Sequence, residues 1–200
     1  MKVAGAALGA DVWTLDLDAV PADAIGLLSP AERDRATGFA REIERTRYER
    51  AHAALRLVLA AYRDAPPDAL EIVRSERGKP GVAGGPEFSI ARSAGVALLA
   101  VHPTSEVGVD VERLRQIAEV AGVAKRLLTA EERQAWSVAG CDAGAFLRIW
   151  TRREAALKAL GLSLVPAEGL AAVMERTPVE VDEISIVPGH AAAVALLVRS

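Results

Sequence analysis

The stretch LLSPAER at residues 27–33 recurs as LLTAEER at residues 127–133, and this repeat decides the predicted fold. In each copy a hydroxyl residue, Ser29 or Thr129, stands three positions before a Glu, which is the capping box that begins a helix. Further echoes keep the same order along the chain: TLDLD at 14–18 with GVDVE at 108–112, AALR at 53–56 with AALK at 155–158, and VALLAV at 96–101 with VALLV at 194–198. Ordered echoes at similar spacing predict an internal duplication.

The duplication predicts an α+β fold built from two similar units of about 100 residues that are related by a pseudo-twofold axis. We place the N-terminal unit at residues 1–102 and the C-terminal unit at residues 103–200. A cleft is expected where the two units meet, and clefts of this kind are favoured ligand sites. We therefore expect a monomer whose halves form a pseudo-dimer.

Hydrophobic periodicity predicts the individual helices and strands. The predicted helices cover residues 29–39, 42–62, 116–127, 129–136 and 142–161, and the predicted strands cover residues 12–18, 70–74, 87–91, 96–102, 106–112, 170–174, 179–187 and 192–198. A loop rich in Gly and Pro is expected at residues 78–86.

The composition excludes several classes of protein. Of the 200 residues, 51% are hydrophobic and 26% are charged, which is the balance of a soluble globular protein with a core. A net charge of −3 argues against a general nucleic-acid binder, and no apolar run is long enough to span a bilayer. Cys141 is the single cysteine, and residues 1–13 are too weakly apolar for a signal peptide. A cytoplasmic protein without membrane attachment is expected.

Asp110 and Glu112 stand two positions apart in the alternating stretch EVGVDVE at residues 106–112. On a strand both side chains leave the same face, so two hard oxygen ligands converge. One or two carboxylates together with phosphate oxygens are a common environment for Mg²⁺. The alternative is a solvated strand face that carries two acids.

Glu154 and Lys158 stand four positions apart within WTRREAALKALG at residues 150–161, so a helix presents them on one face. An exposed ion pair is the alternative explanation. The apolar neighbours Trp150 and Leu157 indicate instead that the pair borders a buried surface. A third carboxylate beside a cation would suit a metal-bound pyrophosphate.

Lys79 lies in RGKPG at residues 77–81, where a glycine and a proline restrict the backbone. Such a loop can present one ammonium group to a phosphate, although a flexible surface turn is the alternative. The three histidines, His52, His102 and His190, are spread without the spacing of metal ligands, so a His-based metal site is not expected.

Together these segments resemble the Sfp-type 4′-phosphopantetheinyl transferase family over nearly the whole chain. The family's order and approximate spacing are matched by SPAERDRATGF at residues 29–39, GKP at 78–80, GVDVE at 108–112 and WTRREAALKALG at 150–161. The combination of GVDVE with W-x-x-x-E-x-x-x-K is specific, and the family's internal pseudo-twofold agrees with the repeat.

The resemblance implies a holo-[carrier-protein] synthase that uses coenzyme A as substrate and Mg²⁺ as cofactor. It implies that Asp110, Glu112 and Glu154 bind Mg²⁺ against the pyrophosphate of coenzyme A, and that Glu154 also acts as the general base. Lys158 would contact the phosphates. This chemistry needs positioning and charge neutralisation more than a covalent intermediate, in agreement with the lack of an activated Ser or Cys.

The resemblance also assigns the nucleotide and the partner protein. Lys79 and Arg47 would hold the nucleotide end with its 3′-phosphate. A serine of an apo acyl or peptidyl carrier protein would attack the phosphate that bears the pantetheine arm, and adenosine 3′,5′-bisphosphate would leave. Carriers of fatty-acid, polyketide and nonribosomal-peptide synthesis all fit this description.

The chain departs from the family pattern in two places. FSIARS at residues 88–93 replaces a stretch that ends in Ser-His-Ser, so Arg92 stands in the position of the family's histidine. Arg92 can bind phosphate but cannot act as a base. The turn GLSL at residues 161–164 is shorter than usual. These departures leave two alternatives: a coenzyme A- or carrier-binding protein with little or no transfer, and an unrelated α+β protein with accidental motifs.

Overall fold

Three antiparallel sheets organise the part of the chain that this computed structural model describes, namely residues 2–3, 7–162, 173 and 176–198. The strands are β1 Lys2–Val3, β2 Asp11–Asp16, β3 Ile72–Arg74, β4 Pro80–Val82, β5 Glu87–Ser93, β6 Val96–His102, β7 Val107–Arg113, β8 Val179–Glu183 and β9 His190–Leu197. The α-helices are α1 Pro30–Thr37, α2 Glu42–Arg63, α3 Val120–Leu127, α4 Ala130–Val138 and α5 Ala143–Ala159. The fold is therefore α+β, as the sequence predicts.

The strand order is β1-β2-β6-β5 in the first sheet, β3-β4 in the second and β7-β9-β8 in the third. Two serines of β5 join the first sheet to the third. The Val109 N–H donates to Ser89 Oγ at 3.1 Å, and the Arg113 N–H donates to Ser93 Oγ at 2.9 Å. These hydroxyls satisfy backbone donors on the edge of β7 that no strand of the described residues pairs with. The join places β7 beside β5.

Helix α5 lies against β7 because Gly108 has no side chain. A Cβ atom built at Gly108 would lie 1.9 Å from the Ala155 carbonyl oxygen and 2.5 Å from the Ala159 nitrogen. The contact is completed by alanines, since Ala155 and Ala159 pack with Ala193 and Ala195 of β9. This close approach brings the face of α5 that carries Lys158 to the strand that carries Asp110.

Both predicted capping boxes are confirmed, at Ser29 with Glu32 and at Thr129 with Glu132. Each capping glutamate also binds an arginine of a long helix. Arg56 Nε donates to Glu32 Oε2 at 2.7 Å, and Arg153 donates to Glu132.

The ion pairs do not follow the register of the sequence repeat. The echo of AALR with AALK aligns Arg56 with Lys158, whereas the contact equivalent to that of Arg56 is made by Arg153. The pseudo-twofold duplication stays a prediction.

Several predicted boundaries are wrong. The expected loop at residues 78–86 contains β4, which pairs with β3 so that Ile72 faces Val82. The third helix begins at Val120 rather than 116 because Glu119 has a left-handed backbone with a φ of 52°. The strand predicted at 179–187 ends at Glu183. The strand predicted at 170–174 lies outside the described residues apart from Val173, which is helical.

Candidate functional site

Asp110 and Lys158 form the centre of the candidate site. The Lys158 ammonium donates to Asp110 Oδ1 at 2.6 Å and to the Val109 carbonyl at 3.1 Å. Asp110 is 7% exposed, while its neighbours Val109 and Val111 face the hydrophobic core on the other side of β7. The alternation predicted for this strand is confirmed. The pair joins β7 to α5.

Burial sets the electrostatics of the carboxylates. Loss of water raises the pKa of Asp110 to about 6, although the Lys158 ammonium opposes that rise and the charges of Glu154 and Glu112 add to it. Burial likewise raises the pKa of Glu154, against the opposing charges of Lys158 and Arg153, and the charge of Glu112 adds to this rise. The predicted carboxylates therefore act on one another through space.

At the candidate site, the buried oxygens Asp110 Oδ2 and Glu154 Oε1 have no hydrogen-bond partner among the residues that the structure describes. Leaving a buried acceptor unpaired costs free energy, so such oxygens are typical of a site that a ligand completes. Oxygens of this kind suit a hard cation such as Mg²⁺.

Glu112 is engaged differently. Its Oε2 accepts a hydrogen bond from Ser93 Oγ at 3.0 Å and lies 3.3 Å from Arg115 Nη1. Among residues 2–3, 7–162, 173 and 176–198, no three His, Cys, Asp or Glu side chains are grouped closely enough to hold one metal ion. The structure thus pairs Asp110 with Lys158 but does not bring Asp110, Glu112 and Glu154 together as a ligand set, which stays a prediction.

A cleft of about 860 Å³ borders Lys158. Many basic side chains line it: Arg35, Arg74, Arg77, Lys79, Arg92 and Lys158. The cleft also has an aromatic wall formed by Phe39, Tyr48, His52 and Phe88. A concave surface with this concentration of positive charge favours a polyanionic ligand that has an apolar or aromatic part.

Comparison with known sequences finds a family match in the part of the chain that contains the Asp110–Lys158 pair. The profile of the 4′-phosphopantetheinyl transferase superfamily matches residues 106–192, which contain Asp110, Glu112, Glu154 and Lys158. The chain is therefore similar to this superfamily over these residues.

Two curated relatives agree with this similarity. The chain is 28% identical to the 4′-phosphopantetheinyl transferase HetI of Nostoc sp. over 187 residues, which is 88% of the chain and 78% of HetI. It is 29% identical to a phosphopantetheinyl transferase of Thraustochytrium sp. over 154 residues, which is 68% of the chain and 54% of that protein. The chain thus spans little more than half the length of the second relative.

The remaining predicted ligands, Lys79, Arg47 and Arg92, occupy different positions relative to the cleft. Lys79 lines the cleft. Its ammonium group already has partners there, because it donates to the Glu106 carboxylate and, at 3.2 Å, to the Val107 carbonyl. Arg47 is not among the residues that line the cleft, and its Nη2 lies 3.3 Å from Asp18 Oδ2. Arg92 lines the cleft.

Sequence reasoning missed several residues that line the cleft. Arg35 and Arg77 lie inside quoted motifs and Arg74 lies in a predicted strand, but in a chain rich in arginine nothing distinguishes them as ligands beforehand. Ser89 is different: it is 5% exposed and lines the cleft, and the alternation of FSIARS could have indicated an inward-facing hydroxyl.

No helix in the described part of the chain is both long and apolar enough to cross a bilayer.

Proposed function

We propose that this chain transfers the 4′-phosphopantetheine arm of coenzyme A to a serine of an acyl or peptidyl carrier protein, with release of adenosine 3′,5′-bisphosphate. The observation that carries the proposal is the ion pair between buried Asp110 and half-buried Lys158, at the edge of a cleft lined by six basic side chains. Coenzyme A combines a pyrophosphate, a 3′-phosphate and an aromatic base, so it has the charge and shape that such a cleft favours.

Asp110, Glu112 and Glu154 are the proposed Mg²⁺ ligands, and they would have to come closer together than in the present arrangement to hold one ion. The unpaired oxygens Asp110 Oδ2 and Glu154 Oε1 support this assignment. When bound, the ion would offset the negative charge of the pyrophosphate.

Glu154 is the proposed general base. Burial raises the pKa of its carboxyl group, which makes its carboxylate a better proton acceptor than an exposed one. It would take the proton of the carrier serine as the serine oxygen forms a bond to the phosphorus that bears the pantetheine arm. The bond from that phosphorus to the bridging oxygen breaks, and the electron pair leaves with adenosine 3′,5′-bisphosphate.

The basic residues bind and orient the substrate in this proposal. Lys158 lies between Asp110 and the cleft, so it can contact a phosphate without leaving its carboxylate partner. Lys79 and Arg47 are the proposed contacts of the nucleotide end. Arg47 pairs with the Asp18 carboxylate in the present arrangement. To bind a phosphate of the nucleotide, it would have to leave this carboxylate.

The two-unit organisation, with residues 1–102 and 103–200 as duplicated halves, belongs to the same proposal. The repeated capping boxes support it, since each forms the same local bonds and binds an arginine. In this organisation the coenzyme A cleft would form between the halves of one monomer.

Mass spectrometry of apo carrier proteins tests the proposed function. Carrier, coenzyme A and Mg²⁺ are incubated with the chain, and we expect the carrier to gain the mass of one phosphopantetheine arm. Omission of Mg²⁺ with added chelator is expected to prevent the gain. Carriers of fatty-acid, polyketide and nonribosomal-peptide type are compared in parallel. Coenzyme A binding without modification of any carrier would instead favour a binding protein.

A further inference from the structure

Arg92 is a cation of the cleft whose guanidinium contacts aromatic rings rather than acids. Its central carbon lies 5.3 Å from the ring centroid of Tyr48 and 5.8 Å from that of Phe39. No ion pair or hydrogen bond engages its N–H groups among the residues that the structure describes. Lys79 and Lys158 differ, because acidic side chains already hold their ammonium groups.

The two rings come from separate elements. Phe39 follows α1 and Tyr48 lies in α2, and their ring centroids are 5.1 Å apart. Aromatic faces attract a cation without using its N–H donors. The guanidinium is therefore restrained while its donors remain available to an anion.

Tyr48 is itself held in place. It is 3% exposed, and the centroid of the His52 ring lies 3.9 Å from that of Tyr48. His52 Nδ1 lies 3.0 Å from the Tyr48 carbonyl oxygen, which can only accept, so this nitrogen carries the proton. His52, one helical turn after Tyr48, therefore packs against the Tyr48 ring and restricts its movement beside Arg92.

We propose that Phe39 and Tyr48 are positioning residues that hold the Arg92 guanidinium ready to bind a phosphate group of coenzyme A. The proposal rests on the proposed function for the identity of the ligand. Holding the side chain in place before binding reduces the entropy lost when the phosphate is bound. A planar guanidinium with free N–H donors can bind two phosphate oxygens at once.

Calorimetric titration with coenzyme A tests the proposal in single and double variants. Tyr48→Leu and Phe39→Leu are each expected to weaken binding about 2- to 30-fold, the range of a cation–aromatic contact. Tyr48→Phe keeps the ring and should bind within about twofold of the unaltered chain. In an Arg92→Ala background, neither leucine substitution should weaken binding further. Tyr62→Leu is the matched control, because it removes a tyrosine of α2 outside the cleft.

Equal losses with and without Arg92 would overturn the proposal, since they would indicate a general effect on the fold. NMR gives a second measurement that needs no ligand. The Arg92 side-chain signals should carry ring-current shifts that Tyr48→Leu removes, and unshifted signals in the unaltered chain would also overturn it. Phe39→Leu serves if Tyr48→Leu does not fold, because Phe39 is only half-buried.

The outcomes for the two proposals are distinguishable. A chain that binds coenzyme A through Arg92 and its rings yet modifies no carrier keeps the positioning role and loses the proposed function. A chain that modifies carriers with unchanged KM in the Phe39 and Tyr48 variants keeps the function and loses the positioning role. Failure to bind coenzyme A at all would overturn both.

Discussion

The Lys158 ammonium lies 2.6 Å from the Asp110 carboxylate, although the two residues are 48 positions apart in the chain. This contact joins helix α5 to strand β7. Asp110 is buried, and its second oxygen has no hydrogen-bond partner in the described part of the chain. The pair therefore leaves one acceptor available to a ligand, while it keeps a cation beside it.

Asp110→Asn should abolish most of the transfer activity while it preserves the fold. Asparagine keeps an oxygen that can accept from Lys158 but loses the negative charge proposed to bind Mg²⁺. We expect kcat/KM to fall by about 100-fold or more. Carrier modification measures the activity, and circular dichroism measures the fold.

Glu180→Gln is the matched control for this experiment, because Glu180 is an exposed carboxylate of β8. It should retain full activity. An Asp110→Asn protein as active as this control would contradict the role given to Asp110.

Gly108→Ala should destabilise the protein and displace α5. The added Cβ would overlap the Ala155 carbonyl and the Ala159 nitrogen, which are backbone atoms that cannot rotate away. Overpacking of this kind costs about 1 to 3 kcal/mol, and the two backbone contacts favour the upper end. Urea unfolding measures the loss.

Gly122→Ala in α3 provides the contrast, because nothing lies within 4 Å of its added Cβ. An alanine in a helix is favoured over glycine by roughly 0.5 to 1 kcal/mol, so this variant should be as stable as the unaltered chain or more so. Equal stability of the Gly108 and Gly122 variants would contradict the close packing of α5 on β7.

Ser93→Ala should weaken the join between β5 and β7. The hydroxyl accepts from the Arg113 N–H and donates to Glu112 Oε2, so its removal leaves two polar groups to find new partners. We expect a loss of about 1 to 3 kcal/mol in the free energy of unfolding. We also expect a higher Mg²⁺ requirement for transfer, since Glu112 would be held less firmly. A stability loss with an unchanged Mg²⁺ requirement would separate the two roles.

His52 should make the protein less stable in acid. Burial lowers its pKa to about 4, below the value of 6.5 for an exposed histidine. Because the unfolded chain then binds the proton more readily, stability is fully present above about pH 6.5 and is lost as the pH falls towards 4. The contribution is roughly 3 kcal/mol.

His52→Phe tests this dependence, because phenylalanine keeps a ring against Tyr48 and has no titratable group. The variant should lose less stability than the unaltered chain between pH 7 and pH 4.5, measured by urea unfolding. Identical pH profiles for the two proteins would exclude His52 as the source.

Local features of the fold were predictable from the sequence because they depend on neighbouring residues. Capping boxes form between positions three apart, so Ser29 with Glu32 and Thr129 with Glu132 were predicted and are confirmed. The strand alternation around Asp110 was also predictable, since it follows from a period of two. The short β4 was missed because Pro80 and the glycines beside it signal a turn more strongly than a strand.

The sequence by itself determined the α+β class, the capped helices and the positions of Asp110, Glu154 and Lys158 within them. The tertiary structure alone decided that Lys158 binds Asp110, that Glu112 turns to Ser93, and that Arg92 contacts Phe39 and Tyr48. The physical reason is distance along the chain. Periodicity and capping act over a few residues, whereas these contacts depend on which strand edges and helix faces meet after burial of the core.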